Sequence, residues 1–232
     1  WRERGRSCTL VPPGNLAGAG GVLMSKDRGL TWTPHGTIKG PSTWMIEQTV
    51  VEVKDGKLLM LCRTSVGVIF QSTSKDGGVT WTNGTPMKEL PNPNAKIAAI
   101  SLFRPPEDGG GGGGDKELHP STCILLCFND HKMLDQPHTR TRTQLKLAAS
   151  CDGEGKQWDR VLTLESSRVP GLRHHYPTLL EVAHNHTTTS ASASGVVSGV
   201  SSVADGFNVS HHRVVVAYST FFMKKFKKSQ PE

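Results

Sequence analysis

The chain has 232 residues, of which 35% are hydrophobic, and its 27 Lys and Arg against 20 Asp and Glu give a net charge of +7. This length suits a domain with a sizeable core and excludes a small disulfide scaffold, for which five cysteines are too few and odd in number. No run of 18 apolar residues is present, so we expect neither a membrane span nor an intact secretory signal. The positive charge indicates an anionic partner, but basic patches interleaved with aromatics are lacking, so nucleic acid is not expected.

Strand-like runs follow one another along the chain and predict an all-β fold. No segment keeps a 3.6-residue apolar period beyond two turns, so we expect no long helix. Turn residues such as Asp55 and Gly56 bound nearly every run. In chain order, the β-branched or alternating apolar runs cover residues 49–55, 57–74, 98–103, 121–129, 143–150, 176–183 and 212–222.

Two stretches differ from the rest in composition. Residues at about 105–118 include six consecutive glycines, and residues 184–212 are rich in Ser, Thr, Ala and Gly. Neither stretch has the large apolar side chains that would offset the entropy of ordering it. We therefore predict one domain over residues 1–232 that carries two low-complexity loop insertions.

Cysteine and histidine pairs stand out, but neither predicts a metal site. Cys123 and Cys127 lie in one apolar run, which favours buried thiols over metal ligands. His174 and His175 are adjacent on a predicted strand and would point to opposite faces, so solvent-facing histidines are expected. We predict that the protein uses no metal and no other cofactor.

The strongest signal is a repeat. Residues 25–32 and 74–81 share the pattern S-x-D-x-G-x-T-W, and a third copy at 150–158 has one extra residue and lacks the Thr. Asp and Ser side chains can bind the amides of a tight turn, Gly supplies positive φ, and Trp fills space between strands. The first two copies start 49 residues apart, the spacing of one propeller blade. The interval from 74 to 150 is too long for one blade, so we expect a blade without a copy between them.

These repeats resemble the Asp-boxes of the sialidase (neuraminidase) superfamily, and the sequence between them resembles its BNR-repeat branch. The resemblance covers about residues 20 to 182, and its most similar stretches are 47–64, 90–94, 142–150 and 176–177. It implies a six-bladed β-propeller with the active site at the central axis. Asp-boxes in that family lie at the blade periphery, so the resemblance gives Asp27, Asp76 and Asp152 a structural role.

The same resemblance implies the residues of an exo-α-sialidase site. Tyr176 would be the nucleophile, Glu47 its base, and Arg63 and Arg142 two arms of a clamp for the substrate carboxylate. The chemistry is consistent, because guanidinium groups pair bidentately with carboxylates. A tyrosine hydroxyl also avoids the repulsion that an anionic nucleophile would meet at a sugar carrying a carboxylate. The expected reaction is retaining hydrolysis of terminal sialic acids on glycoconjugates through a tyrosyl–sugar intermediate.

The residues alone leave alternatives open at each position. Arg63 ends an apolar run, where an arginine is commonly a solvated strand edge. Arg140 is a second candidate arginine in the same TRTRT segment, and Glu52 is a second candidate carboxylate. Tyr176 is one of two tyrosines, and a buried tyrosine with a satisfied hydroxyl is a common structural residue.

Family enzymes also place a first clamp arginine and a general-acid aspartate upstream of these residues. This chain begins at Trp1, and no Asp precedes Asp27. We therefore expect a propeller that is incomplete at its N-terminus, with about four blades of roughly 45 to 50 residues. The alternative function is a non-catalytic propeller that binds anionic glycans or a protein partner, and a glycosidase for another sugar is a third possibility.

Overall fold

The computed structural model describes residues 19–104, 121–131, 142–169, 171–182 and 213–222. The predicted insertions at 105–118 and 184–212 lie outside these ranges. The described residues are nearly all in strands and turns, which confirms the all-β prediction, and none of their helices is long and apolar enough to cross a membrane. The strands are β1 (Gly20–Met24), β2 (Thr33–Ile38), β3 (Met45–Glu52), β4 (Leu58–Thr64), β5 (Val68–Ser74), β6 (Thr85–Pro91), β7 (Ala98–Arg104), β8 (Ser121–Asn129), β9 (Gln144–Ser150), β10 (Asp159–Ser166), β11 (Leu172–Val182) and β12 (Arg213–Phe222), with a 3-10 turn at Lys54–Gly56.

The strands form four antiparallel sheets in chain order. Two sheets have four strands, β3-β4-β5-β6 and β7-β8-β9-β10, and two have two strands, β1-β2 and β11-β12. Consecutive strands pair throughout, which is the up-and-down order of a propeller blade. The first repeat copy joins β1 to β2, just as the later copies join β5 to β6 and β9 to β10. By this position, β1 and β2 correspond to the third and fourth strands of a blade.

The expectation of a blade without a repeat copy between the second and third copies is wrong. The second copy belongs to the sheet β3–β6 and the third to the sheet β7–β10, and only residues 92–97 separate the two sheets. The long interval arises instead within one blade, from the connections 105–120 and 132–141 on either side of β8. Both connections lie outside the described residues.

The two four-stranded sheets are apolar on both faces, because each packs between neighbouring sheets. In β8, Ile124 and Leu126 belong to a buried cluster shared with β4, whereas Leu125 and Cys127 belong to a cluster shared with β11. This alternation follows from the two-residue period of a strand. A third cluster lies between β2 and the sheet β3–β6. The sheets therefore pack face to face in chain order.

A disulfide links β8 to the residue after β9. Cys123 precedes Ile124, which pairs with Ser150, so Cys123 and Cys151 lie directly across from each other with their Cα atoms 4.2 Å apart. The prediction of a buried thiol at Cys123 is wrong, because the strand register brings it to a partner 28 residues away. At Cys127 the prediction is confirmed: it is a free buried cysteine, and burial raises the pKa of its thiol to about 12.

The first two repeat copies are hairpin turns held together by their aspartates. Asp76 Oδ1 accepts a hydrogen bond of 2.9 Å from the Thr80 amide, and the Trp81 indole donates to the Gly78 carbonyl over 2.8 Å. Residues 25–32 make the same bonds at corresponding positions. These contacts explain why the pattern needs its Asp, Gly, Thr and Trp at fixed spacing.

The third copy forms the same kind of turn with a different set of hydrogen bonds. Asp152 lacks a threonine partner, and its carboxylate instead accepts hydrogen bonds from four consecutive backbone amides. Trp158 still donates to the Gly155 carbonyl, over 2.8 Å, and lies in the buried cluster between the two four-stranded sheets. The extra residue in this copy is therefore accommodated without loss of the turn.

The repeat turns lie at the opposite end of the sheet from Arg63. Successive turns of an up-and-down sheet alternate between its two ends. Arg63 lies at the end of β4, beside the turn to β5, whereas the second copy joins β5 to β6. The aspartates thus serve their own turns, in agreement with the structural role that the family resemblance implies.

We expect Asp76→Asn to lower the thermal midpoint by a few degrees at neutral pH without changing ligand binding at the Arg63 end. Hydrogen bonds from the Thr80 side chain and amide, and from Ser74, lower the pKa of Asp76 to about 2. A lowered folded-state pKa stabilises the protein above pH 3.8, and this contribution is lost as the pH falls towards 2. In thermal melts, the difference in midpoint between wild type and variant should therefore become smaller as the pH falls from 3.8 towards 2.

Asp55→Asn is the matched control for this prediction. Asp55 is an exposed carboxylate in the turn before β4, where it pairs with Lys57 at 3.6 Å. Surface pairs of this kind contribute little to stability, so this variant should melt close to wild type. Equal midpoints for both variants would contradict the stabilising role of Asp76.

Candidate active site

A bulge in β3 positions Glu47. The register shifts between Ile46 and Thr49, so that Glu47 and Gln48 lie opposite a single residue of β4. Glu47 has a left-handed backbone, with φ of 50°. Such bulges bend a strand and redirect one side chain out of the regular alternation.

A second bulge, of the same kind, positions Tyr176 in β11. Here the register shifts between His175 and Thr178, and Tyr176 has φ of 56°. Pro177 fits this place because a proline has no N–H to donate to the neighbouring strand. The Tyr176 side chain is 43% exposed, so the alternative of a buried structural tyrosine does not apply.

Left-handed backbone conformations occur at three residues of this region. Within the described ranges, six non-glycine residues have a left-handed φ, and Glu47, Asn94 and Tyr176 are three of them. Asn tolerates this conformation better than Glu or Tyr does. Strained residues persist where surrounding contacts hold them, and they cluster at functional sites. Their backbone geometry therefore agrees with the candidate site that the sequence names at Glu47 and Tyr176.

Arg63 is buried and paired with two side chains, which excludes the alternative of a solvated strand edge. Its side chain forms an ion pair with Glu47, with Nη1 and Oε2 2.6 Å apart. Its Nε donates to Asn94 Oδ1 over 2.7 Å, and the residue is only 7% exposed. A buried guanidinium requires such partners, because removing its charge from water is costly.

Arg142 lies just before β9 and reaches the same place from the next sheet. Its carbonyl accepts a hydrogen bond of 2.7 Å from the His174 amide, which anchors it to β11. Its Nη2 donates to the Asn94 carbonyl over 3.2 Å, and its Cζ lies 5.7 Å from the centre of the Tyr176 ring. Burial lowers the pKa of Arg142, the charge of Arg63 lowers it further, and Tyr176 opposes both effects.

The structure thus brings all four residues named from the sequence into one connected cluster. Glu47 contacts Arg63, Asn94 connects Arg63 to Arg142, and Arg142 contacts Tyr176. The cluster holds two guanidinium groups against one carboxylate. It is therefore suited to binding an anion next to an exposed phenol.

The competing residues lie elsewhere or outside the described ranges. Glu52 ends β3, at the far end of the strand from the cluster, and its carbonyl accepts a hydrogen bond from Ser101. The other tyrosine, Tyr218, donates its hydroxyl to Glu165 over 2.5 Å. Arg140 is not among the described residues.

The prediction that His174 and His175 face solvent is wrong. Both are only 4% exposed, because β12 covers this part of β11. The His175 ring packs against the rings of Tyr176 and Phe221, and each of their centroids lies 4.6 Å from its own. His174 Nδ1 lies 3.0 Å from the hydroxyl of Thr220 on β12. The two histidines expected to face solvent are thus part of the packing behind the cluster.

His175→Phe should remove an acid sensitivity of the folded protein. Burial lowers the pKa of His175 to about 4, and the charges of Arg142, Arg173 and Arg63 lower it further while Glu47 opposes them. Because an unfolded histidine titrates near 6.5, the unfolded state binds more protons between pH 6.5 and 4, and stability falls as the pH drops through that window.

Thermal melts from pH 8 to pH 4 provide the measurement. The wild type should lose several degrees more than His175→Phe across the window. His35→Gln, on β2 and away from the cluster, is the control and should follow the wild type. If the thermal midpoints of His175→Phe and wild type fell equally with pH, this would contradict the prediction that His175 is buried in its neutral form.

Asn94 is the site residue that sequence reasoning did not assign. Residues 90–94 carry part of the family resemblance, but they suggested only a turn. The available signal was an asparagine after a proline, a few residues before an apolar run, where an Asn can take a left-handed backbone. The hydrogen bonds to both arginines could be seen only once the sheets were placed.

Comparison with known proteins gives one family match and several similar folds. The family model described as a BNR repeat-like domain matches residues 20–189. A comparison with curated proteins found no match. Among solved structures, a variant of the NanB sialidase from Streptococcus pneumoniae is 20% identical, with a TM-score of 0.50 over 71% of this chain and 22% of that chain.

Two further structures are similar at lower TM-scores. The intramolecular trans-sialidase from Ruminococcus gnavus, in complex with oseltamivir carboxylate, is 23% identical over 68% of this chain and 30% of that chain, with a TM-score of 0.44. The Trypanosoma rangeli sialidase is 16% identical over 68% of this chain and 22% of that chain, with a TM-score of 0.43. The chain therefore spans less than a third of the length of these structures, and the likeness to NanB concerns the fold.

Proposed function

The chain belongs to the BNR repeat-like family of the sialidase superfamily, and from this membership we propose that it carries part of a retaining exo-α-sialidase site. The observation that carries the proposal is the connected cluster of Glu47, Arg63, Arg142 and Tyr176, with two of its members held on strained bulges. The proposed substrates are glycoconjugates that end in sialic acid.

Substrate recognition would rest on the two arginines. Sialic acid carries its carboxylate on the anomeric carbon, so a group that binds the carboxylate also positions the reacting atom. Arg63 is partly neutralised by Glu47, whereas Arg142 faces the ring of Tyr176 and the carbonyl of Asn94. The cluster keeps an excess positive charge close to the exposed phenol. This charge would bind the carboxylate and hold the anomeric carbon beside Tyr176.

The covalent chemistry would take place in two displacements. In the first, the Tyr176 oxygen forms a bond to the anomeric carbon and gives its proton to the Glu47 carboxylate, while the bond to the leaving oxygen breaks. That oxygen takes a proton from a separate acid, because Glu47 accepts a proton in this step. In the second, water forms a bond to the anomeric carbon and gives a proton to the conjugate base of that acid, while the bond to the Tyr176 oxygen breaks and Glu47 returns its proton to the phenolate. Two inversions give net retention.

A fluorogenic sialoside assay on the full chain tests the proposal. Hydrolysis, with the α anomer detected first by proton NMR, would support a retaining sialidase. Binding to sialylated glycans without turnover would instead support a non-catalytic propeller that uses its arginines for binding. Hydrolysis of a different sugar glycoside, with none of the sialoside, would contradict the proposed substrate.

A further inference from the structure

We propose that Asn94 is a positioning residue that fixes Arg63 and Arg142 relative to each other so that both can bind one substrate carboxylate. The inference rests on the proposed function and names a residue that it does not include. It starts from an unusual contact: a single residue accepts hydrogen bonds from both guanidinium groups, one through its side chain and one through its backbone.

The two bonds fix the spacing of the arginines. Asn94 Oδ1 accepts from Arg63 Nε over 2.7 Å, and the Asn94 carbonyl accepts from Arg142 Nη2 over 3.2 Å. Since both acceptors belong to one residue, covalent geometry sets the distance between them. The arginines come from different sheets, β4 and the segment before β9, so no strand register fixes their distance directly.

Charge explains why a neutral acceptor is needed at this position. Arg63 and Arg142 are each 7% exposed, and burial lowers the pKa of Arg142 while repulsion from the charge of Arg63 lowers it further. An amide oxygen and a carbonyl oxygen offset the repulsion through their dipoles without cancelling either charge. A carboxylate would hold the arginines equally well, but it would neutralise the site that the ligand must enter.

The loop around Asn94 is built to hold this geometry. Asn94 is 4% exposed and has φ of 57°, which directs its side chain and its carbonyl to the two arginines. The neighbouring Asn92 holds the loop in place: its Oδ1 accepts from the Ala95 backbone N–H over 2.7 Å, and its backbone N–H donates to the Gly67 carbonyl over 2.8 Å. The two asparagines thus have different roles: Asn92 holds the backbone of the loop, and Asn94 binds the two arginines.

Three variants separate positioning from folding. Asn94→Gly keeps the left-handed backbone, which glycine adopts readily, and keeps the carbonyl for Arg142, but it removes the acceptor for Arg63. Asn94→Asp keeps both acceptors and adds a negative charge. Asn92→Ala is the matched control, since it removes a buried asparagine from the same loop without touching either arginine.

The measurements use N-acetylneuraminic acid as the probe, with affinity followed by NMR on the arginine Nε–H signals, together with KM and kcat for a fluorogenic sialoside. Asn94→Gly should weaken binding about tenfold, because a hydrogen bond to a charged group is lost, and Asn94→Asp should weaken it by more. In both variants KM should change far more than kcat. Asn92→Ala should lower the thermal midpoint and leave the affinity within about twofold of wild type.

The outcomes distinguish the inference from the proposed function. Wild-type binding of the acid with the expected Asn94 dependence, but without hydrolysis, would keep the inference and reject the sialidase. Hydrolysis with unchanged KM in both Asn94 variants would keep the sialidase and overturn the inference. The inference would also be overturned if Asn92→Ala lost as much affinity as the Asn94 variants, or if the wild type did not bind the acid.

Discussion

Tyr176→Phe is expected to reduce sialoside hydrolysis by about three orders of magnitude or more, because it removes the oxygen that we propose as the nucleophile and little else. The phenyl ring can keep its place over Arg142, whose Cζ lies 5.7 Å from the ring centre, and against His175 at 4.6 Å. Affinity for N-acetylneuraminic acid and the thermal midpoint should therefore stay close to wild type. Single-turnover kinetics measure the rate of hydrolysis, NMR titration measures the affinity for the acid, and a thermal melt gives the midpoint.

Tyr218→Phe is the matched control, since it removes the same atom from the other tyrosine. The Tyr218 hydroxyl donates to Glu165 between β12 and β10, so its loss should lower stability slightly and leave kcat unchanged. Turnover within about tenfold of wild type in Tyr176→Phe would exclude this residue as the nucleophile. Equal loss of turnover in both variants would point to a general effect on the fold.

Arg142→Lys is expected to raise KM for a sialoside by about 10- to 100-fold, with a smaller change in kcat. Lysine keeps the positive charge but has no planar fork, so it cannot at once donate to the Asn94 carbonyl, face the Tyr176 ring and pair bidentately with a carboxylate. The prediction therefore separates guanidinium geometry from charge. Initial rates over a wide range of substrate concentration provide the measurement.

Arg160→Lys is the control for this change. Arg160 also pairs with a carboxylate, Asp130, with Nη2 and Oδ1 3.1 Å apart, but it belongs to β10 and not to the cluster. Its replacement should cost some stability and leave KM unchanged. A KM for Arg142→Lys that matches wild type would show that charge alone is sufficient at position 142.

Sequence patterns predicted some strands better than others. The apolar runs match or overlap β3, β4, β5, β7, β8, β9, β11 and β12. The strands β1, β2, β6 and β10 were not predicted. Pro86 and Pro91 lie within β6, and Pro34 and Gly36 lie within β2, residues that weaken a strand pattern and are tolerated at sheet edges.

The residues of the cluster could be named from family resemblance, but their geometry could not. A bulge depends on how two strands align, and nothing in the residues around Glu47 fixes that alignment in advance. The same limit hid the Cys123–Cys151 disulfide and the contacts of Asn94, because each joins segments distant in the chain. Local sequence predicts periods and turns, whereas these features depend on the relative placement of strands.

The bulges in β3 and β11 separate the proposed site residues from the regular pairing of the strands. Glu47 and Tyr176 lie where one strand carries an extra residue, so neither is needed to continue the hydrogen bonds of its ladder. Side chains at these points can change while the blades around them stay intact. Related propellers would then diversify their substrates by exchanging residues at equivalent bulges, and protein engineers seeking new catalysts on this scaffold would begin there.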